Sequence, residues 1–462
     1  MRPGDILAYL RYPVCSPYRL VWSLFRDNTS PAAYINYAFA QHVWRKRTPY
    51  NYVMLALLMV GWPVIFLGAW LHFMRRCGFK VKRLTGKGIW RQTAEQLVLA
   101  ATQSIAPSKY YIFELFGDAR RARADEHIIR YMFKGGVHTL VNDWMQATSA
   151  NTGKRVLNNK LNFDLHGKEH GFATIGSVCG IKRGGETIWV DHPGPDLPSI
   201  DLFIKPTKGK GGRGCERWDC VGPGRFRRFG DGETKSAAEL LEHVHRLARR
   251  KAQLVQPRGV NHADLSDLGG AALSSLRVMS IRNDRGEVEV LFAVFKISSR
   301  GASVVDNFHA GGFVAGVDIA TGELGEASDW GIKQPGRWLA VHPVTGAQIA
   351  GRRLPHWQET IDLVRRAHET IDRIVVGWDV AITDRGPAII EGNGQFGLDM
   401  VQRTHRIPVG NSRFCELYAW HVSQALHHFW GLPVRPRPAS GVVATLPKPY
   451  LATSNASPVG LV

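Results

Sequence analysis

Two carboxylates and an amide crowd into one short stretch, GWDVAITDRGPAIIEGNG, residues 377–394. Asp384-Arg385-Gly386 reads as a three-residue loop, with glycine at its left-handed position and Pro387 beyond. Thr383 then pairs with Pro387. Counting back by twos puts Ala381 opposite Ile389, Asp379 opposite Glu391 and Gly377 opposite Asn393. Asp379, Glu391 and Asn393 share one face. Val376, Trp378, Val380, Ile382, Ala388 and Ile390 share the other, apolar face. Opposed side chains have Cβ atoms about 5 Å apart, where two carboxylates destabilise each other unless a cation lies between them. Hard oxygens so placed suit Mg²⁺ held against phosphates, and Gly377 opposite Asn393 leaves room for a ligand. A two-residue loop would offset the acids.

Cationic groups precede this hairpin. In DLFIKPTKGKGGRGC, Lys205 ends an alternating apolar strand beside Gly209, Gly211, Gly212 and Gly214. Such a loop offers backbone N–H groups to a phosphate while the ammonium supplies charge. It is not a Walker loop, because the Gly-Lys-Ser/Thr ending is absent. Lys160 sits on a helix before a strand-like run. Arg277 lies among apolar strand residues and reads as a charge clamp on a phosphoryl group. Asn307 and His309 precede Gly311-Gly312.

These residues need a scaffold. DLFIKP, VEVLFAVFKIS, RIVVGWDVAIT and PAIIEGN read as strands, and AAELLEHVHRLARRKA and WQETIDLVRRAHETID as amphipathic helices. The result is an α+β unit over residues 155–432. A helical region covers residues 85–150, and a Pro/Ser/Ala-rich tail, read as a loose extension, covers 433–462. Residues 51–75 form a hydrophobic segment, and 1–50 an arm whose residues 6–26 suit an interface. Residues 52–74 carry no formal charge and would reach about 35 Å as one helix. Both flanks are basic, and Pro63 interrupts the middle. The expectation is a re-entrant hairpin with both flanks cytoplasmic, a single kinked span being the alternative.

The 462 residues exceed one small core. Hydrophobic content of 44% and charged content of 21% are those of a folded protein. The net charge of +20 favours anionic partners. Without zinc-finger spacing or a basic–aromatic repeat, nucleic acid ranks below a membrane surface. Six scattered cysteines suggest free thiols in a reducing compartment.

Taken in order, Lys160, Lys205-Pro206 with its glycines, Arg277, Asp306-Asn307-Phe308 with Gly311-Gly312, and Asp379…Glu391-x-Asn393 resemble the ATP-grasp superfamily over residues 155–405. HPVTG, GWDVAIT, IIEGN and DNFHAGG resemble its sugar-transfer-associated, alpha-L-glutamate ligase-related branch. The resemblance implies an ATP-grasp fold, two α+β lobes clamping ATP, preceded here by a helical region with a membrane-associated segment. It implies that Lys160, Lys205 and the glycine loop contact the ATP phosphates. LVQP, with Val255 and Gln256, would be the adenine hinge, and His262 a ribose-side group. Asp379, Glu391 and Asn393 would hold two Mg²⁺, and Arg277 and Asn307 would lie by the transferring phosphoryl group.

The expected activity is a membrane-side carboxylate–amine ligase working through an acyl phosphate on envelope polymer, lipid-linked sugar or peptide. The alternatives are a kinase on the same scaffold, and a non-catalytic nucleotide-binding partner of a glycosyltransferase complex.

Overall fold

Alternating apolar runs become two antiparallel sheets in the computed structural model, which describes residues 16–45, 49–129, 133–149, 152–190, 192–209, 212–270, 272–298 and 312–439. The first sheet contains β1 (Cys179–Ile181), β2 (Thr187–Trp189), β3 (Leu202–Pro206), β4 (Glu216–Gly222), β5 (Arg225–Arg228), β6 (Thr234–Ser236) and β7 (Gln253–Pro257). Its order is β2-β1-β7-β3-β4-β5-β6. The second contains β8 (Leu276–Arg282), β9 (Val288–Ile297), β10 (Phe313–Val317), β11 (Leu324–Ser328), β12 (Val375–Thr383) and β13 (Gly386–Asn393), in the order β11-β10-β9-β8-β12-β13.

Each sheet buries one face beneath a helix whose apolar stripe recurs every three to four residues. Ile204, Trp218 and Phe226 of the first pack with Leu240 and Val244 of helix Ala237–Ala248. That helix starts in a capping box, Ser236 and Glu239 exchanging backbone and side-chain hydrogen bonds. Val376, Trp378, Val380 and Ile382 of β12 share the second core with Ile361 and Val364 of helix Trp357–Glu369.

The chain forms two compact units. Both sheets lie in the unit built from residues 138–329 and 337–396, and the other comprises residues 1–137, 330–336 and 397–462. The segment expected to be one catalytic domain, 155–432, thus contributes to both. In the second unit, helix Arg413–Trp430 packs on helix Pro31–Arg45. The start of the tail is anchored rather than loose: the Arg435 guanidinium donates to the carbonyls of Asn28 (2.9 Å) and Thr29 (2.6 Å). The five described cysteines are free.

The expected hairpin around Pro63 does not form. One helix runs Pro49–Phe73 and continues through a π-helical turn, Met74–Gly78, into Phe79–Thr85. Pro63 has no N–H for the carbonyl of Met59, four residues back. The Tyr18 hydroxyl donates to that carbonyl instead, at 2.7 Å, and its ring meets Trp62 edge-on at 5.5 Å. A kinking residue is tolerated because a distant side chain replaces its missing donor. Tyr18→Phe should keep the ring contact and lower stability by about 1 kcal/mol, read from urea unfolding; an unchanged midpoint would refute this role for the hydroxyl.

Candidate functional site

Three charged residues stand side by side across neighbouring strands of the second sheet. Arg277 of β8 pairs with Asp379 of β12, which pairs with Glu391 of β13. The acids oppose each other and Gly377 opposes Asn393, but by a different route from the expected one. Thr383 pairs with Gly386, so the loop is Asp384-Arg385, one residue shorter. A bulge then shifts the register between Asp379 and Val380, leaving Ile390 as the extra residue. Consequently Ile389, not Ile390, lies in the core. The space at Gly377 is also not a ligand's: a Cβ there would meet the Phe396 ring at 2.9 Å and Arg277 Cδ at 3.3 Å.

The Arg277 guanidinium grips Asp379 with both prongs, Nε to Oδ1 at 2.7 Å and a terminal nitrogen to Oδ2 at 3.0 Å. Lys296 of β9 adds a third contact, Nζ to Oδ1 at 3.1 Å, and also donates to Ser275 Oγ at 3.0 Å. Burial alone would raise the Asp379 carboxyl, but these two cations hold it well below the usual carboxylate range. Arg277 is therefore already paired with Asp379. Lys296 was missed in the sequence. Its one local signal is a lysine inside the apolar run VEVLFAVFKIS.

Glu391 is more open. Lys160 Nζ lies 3.1 Å from its Oε2, and Asn393 Nδ2 donates to its Oε1 at 3.3 Å. Lys160 opens helix Lys160–Glu169, capped by Asn159, whose side chain accepts from the Leu161 N–H. Its Nζ also reaches the Gly209 carbonyl at 3.5 Å, and its N–H donates to Thr207 O. These contacts tie the glycine loop to the acid hairpin. Gly212 and Gly214 have φ of +69° and +76°, a region that favours glycine; Gly211 lies outside the described residues.

Lys205 of β3 is only 6% exposed, and its ammonium makes neither a hydrogen bond nor an ion pair to any described residue. Burial, and then repulsion from Lys160, push its ammonium down to about 8. Nearby is a cleft of about 350 Å³ lined by Lys154, Arg155, Asn158, Asn159, Asn162 and Lys208. Its three basic side chains have no ion pair among the described residues. A buried cation without a partner is costly.

The other expected site residues sit apart from this cluster in role. Val255 lies in the first sheet's core, paired with Cys179 and Ile204, its carbonyl accepting from the Val178 N–H. The Gln256 side chain donates to Gly176 O at 2.6 Å. His262 caps a short helical turn, accepting at Nδ1 from the Asp264 N–H, while its own N–H joins Ile382 O. Asn307 lies outside the described residues.

Residues 153–407, more than half of the chain, match a family described as sugar-transfer associated ATP-grasp. No curated protein matches the chain. Among solved structures it is similar to an L-amino acid ligase from Bacillus licheniformis, at 13% identity and a TM-score of 0.31, covering 58% of this chain and 49% of that one. It is also similar to D-alanyl-alanine synthetase A from Vibrio cholerae, at 12% identity and 0.33, covering 59% and 66%. Biotin carboxylase from Campylobacter jejuni gives 10% and 0.35, covering 59% and 48%. The first match spans about half the length of its relative.

Proposed function

The chain belongs to the sugar-transfer associated ATP-grasp family, and from that premise we propose that it is an ATP-dependent ligase joining a carboxylate to an amine. The observation that carries this reading is Lys205, a buried ammonium with no ion pair to any described residue, close in sequence to Lys208 of a cleft whose basic side chains have no ion pair among the described residues. The β and γ phosphates of ATP supply the missing charge. Lys160 and the glycine loop flank them, with Val255 and Gln256 at the adenine edge and His262 toward the ribose.

The donor set fits Mg²⁺ unevenly. Glu391 and Asn393 offer accessible hard oxygens at one end of β13. Asp379 already serves Arg277 and Lys296 and has only a remaining lone pair to contribute. When bound, the metal would neutralise phosphate charge as the γ-phosphoryl group leaves. The chain's own residues do the rest. Lys160 releases Glu391 and turns to phosphate, Lys205 holds the phosphoryl oxygens, and Arg277 fixes Asp379 beside them. A substrate carboxylate attacks the γ-phosphorus, ADP departs, and an amine displaces phosphate from the acyl phosphate. We place the enzyme at a membrane, with its catalytic unit in the cytoplasm and an anionic envelope polymer, lipid-linked sugar or peptide as acceptor.

Incubation of the purified chain with Mg-ATP and a panel of carboxylates and amines tests the reaction. Amide, ADP and free phosphate are expected; a stable phosphoester without free phosphate would make it a kinase. Glu391→Gln should cut Mg²⁺-dependent turnover about 10²-fold or more, the scale of losing a fixed charge contact in the transition state. Unchanged turnover would remove Glu391 from the site.

A further inference from the structure

We infer that helix Pro49–Phe73 lies in the plane of an anionic phospholipid bilayer, sunk into one leaflet along a single apolar face, and does not cross it. The inference rests on the membrane location proposed above and adds the mode of insertion and the lipid class.

By composition the helix and its continuation qualify as a span: within the 31 residues Leu55–Thr85 the most apolar 18-residue stretch has a mean hydropathy of 1.8, and only 17% of that stretch is buried. A core helix of a soluble protein would be mostly buried. Val53, Leu57, Val60, Val64, Leu67 and Leu71 are all exposed, Val60 by 82% and Val64 by 74%. Their spacing of four and three residues makes one continuous stripe. The opposite face is covered by protein. Trp62 and Phe66 pack with Ala100 of helix Ile89–Gln103. Trp70 Nε1 donates to Thr93 Oγ1 at 3.2 Å, and Gln92 Nε2 to Gly78 O at 3.1 Å.

That covering helix decides the orientation. Between Thr93 and Ala100 it carries Glu95, which pairs with Lys87 at 2.9 Å and Arg121 at 3.0 Å. If the apolar helix crossed the bilayer, this charged cluster would be drawn alongside it into hydrocarbon, where ionised groups are expensive. Lying flat, the apolar stripe enters the lipid while the covered face and its charges stay outside.

Two further observations agree. Trp22, Phe25, Trp90 and Val98 of the same unit are also exposed. At the C-terminal end, Arg75, Arg76, Lys80, Lys82 and Arg83 are exposed, with no ion pair among the described residues. Five basic side chains beside an apolar face complement anionic headgroups. A transmembrane helix of another protein could cover the stripe but would leave this charge unmatched.

The test uses the full-length protein and vesicles of phosphatidylcholine with or without phosphatidylglycerol. Sedimentation with the anionic vesicles should exceed that with the neutral ones at least tenfold. The double substitution Val60→Asp, Val64→Asp should abolish it while basal ATP hydrolysis and the melting temperature stay unchanged. Sedimentation with neither vesicle would overturn the membrane location itself; equal sedimentation with both would overturn the lipid class. Single cysteines, Tyr52→Cys and Arg83→Cys, are then labelled in sealed membranes with an impermeant maleimide. Both should react from the same side. Reaction from opposite sides would overturn in-plane insertion yet leave the membrane location standing. The site chemistry is tested separately by ATP hydrolysis.

Discussion

Lys205→Met should abolish nucleotide binding while making the free protein more stable to heat. The two effects have one cause. Lys205 is buried on β3 with no ion pair to any described residue, and its ammonium is pushed down to about 8 from an ordinary 10.5 by burial and then by Lys160. A shift of that size corresponds to roughly 3 kcal/mol of unfavourable charge burial at neutral pH. Methionine fills the same space with no charge to desolvate. Melting curves with and without Mg-ATP read both effects: the variant should melt higher when free and gain nothing from ATP.

The pH dependence follows in sign. The folded value is lowered, so the burial penalty is fully present below about 8 and fades as pH rises toward 10.5. The advantage of Lys205→Met should therefore be largest near pH 7 and shrink above 8. ATP affinity of the unsubstituted protein should fall through the same range, as the ammonium that meets phosphate is lost. A variant that melts lower at pH 7, or still binds ATP, would show that Lys205 is a structural residue with an unseen partner.

Asp379→Asn should do the reverse to stability. Removing one charge from a buried, hydrogen-bonded group leaves Arg277 and Lys296 uncompensated, a change that typically costs about 3–5 kcal/mol. Adding Lys296→Met should restore part of the loss, because one excess cation then disappears, and the coupling can be measured as a double-mutant cycle. The Asp379 carboxyl is held well below its ordinary range. Its contribution is therefore present above the unfolded value near 3.8 and disappears only as pH falls below that, so the Asp379→Asn deficit should be constant from pH 7 to 5. A deficit below about 1 kcal/mol would mean that Asp379 is not the anchor of this cluster. Glu391→Gln is the control: Glu391 is half-buried and has a single ammonium partner among the described residues, so it should affect turnover far more than stability.

Much of this arrangement was legible locally. The strict alternation in GWDVAIT and PAIIEGN predicts a hairpin with acids on one face and Val376, Trp378 and Ile382 on the other. The opposition of Asp379 and Glu391 emerged from two differences that cancel: the loop is one residue shorter, and the bulge at Ile390 restores the offset. Turn and bulge are alternative ways of absorbing one residue, and composition does not choose between them. Lys296 was not legible because its meaning depends on the strand order β9-β8-β12, which places it within reach of an acid 83 residues away. The length and apolarity of the helix Pro49–Phe73 were evident. Its continuity past Pro63 was not, because the donor that replaces the missing N–H comes from Tyr18.

By itself, then, the sequence determined the strands that carry Lys205, Arg277, Asp379 and Glu391, the glycine loop beside them and the family they compose, because periodicity and motif order are read along the chain. The tertiary structure alone decided which charges are spent on each other and which have no ion pair among the described residues. Arg277, a phosphoryl clamp by sequence, is paired with Asp379; Lys205, one lysine among many, is buried with no ion pair to any described residue. Pairing and burial are set by non-local packing, and they determine the energy of a charge.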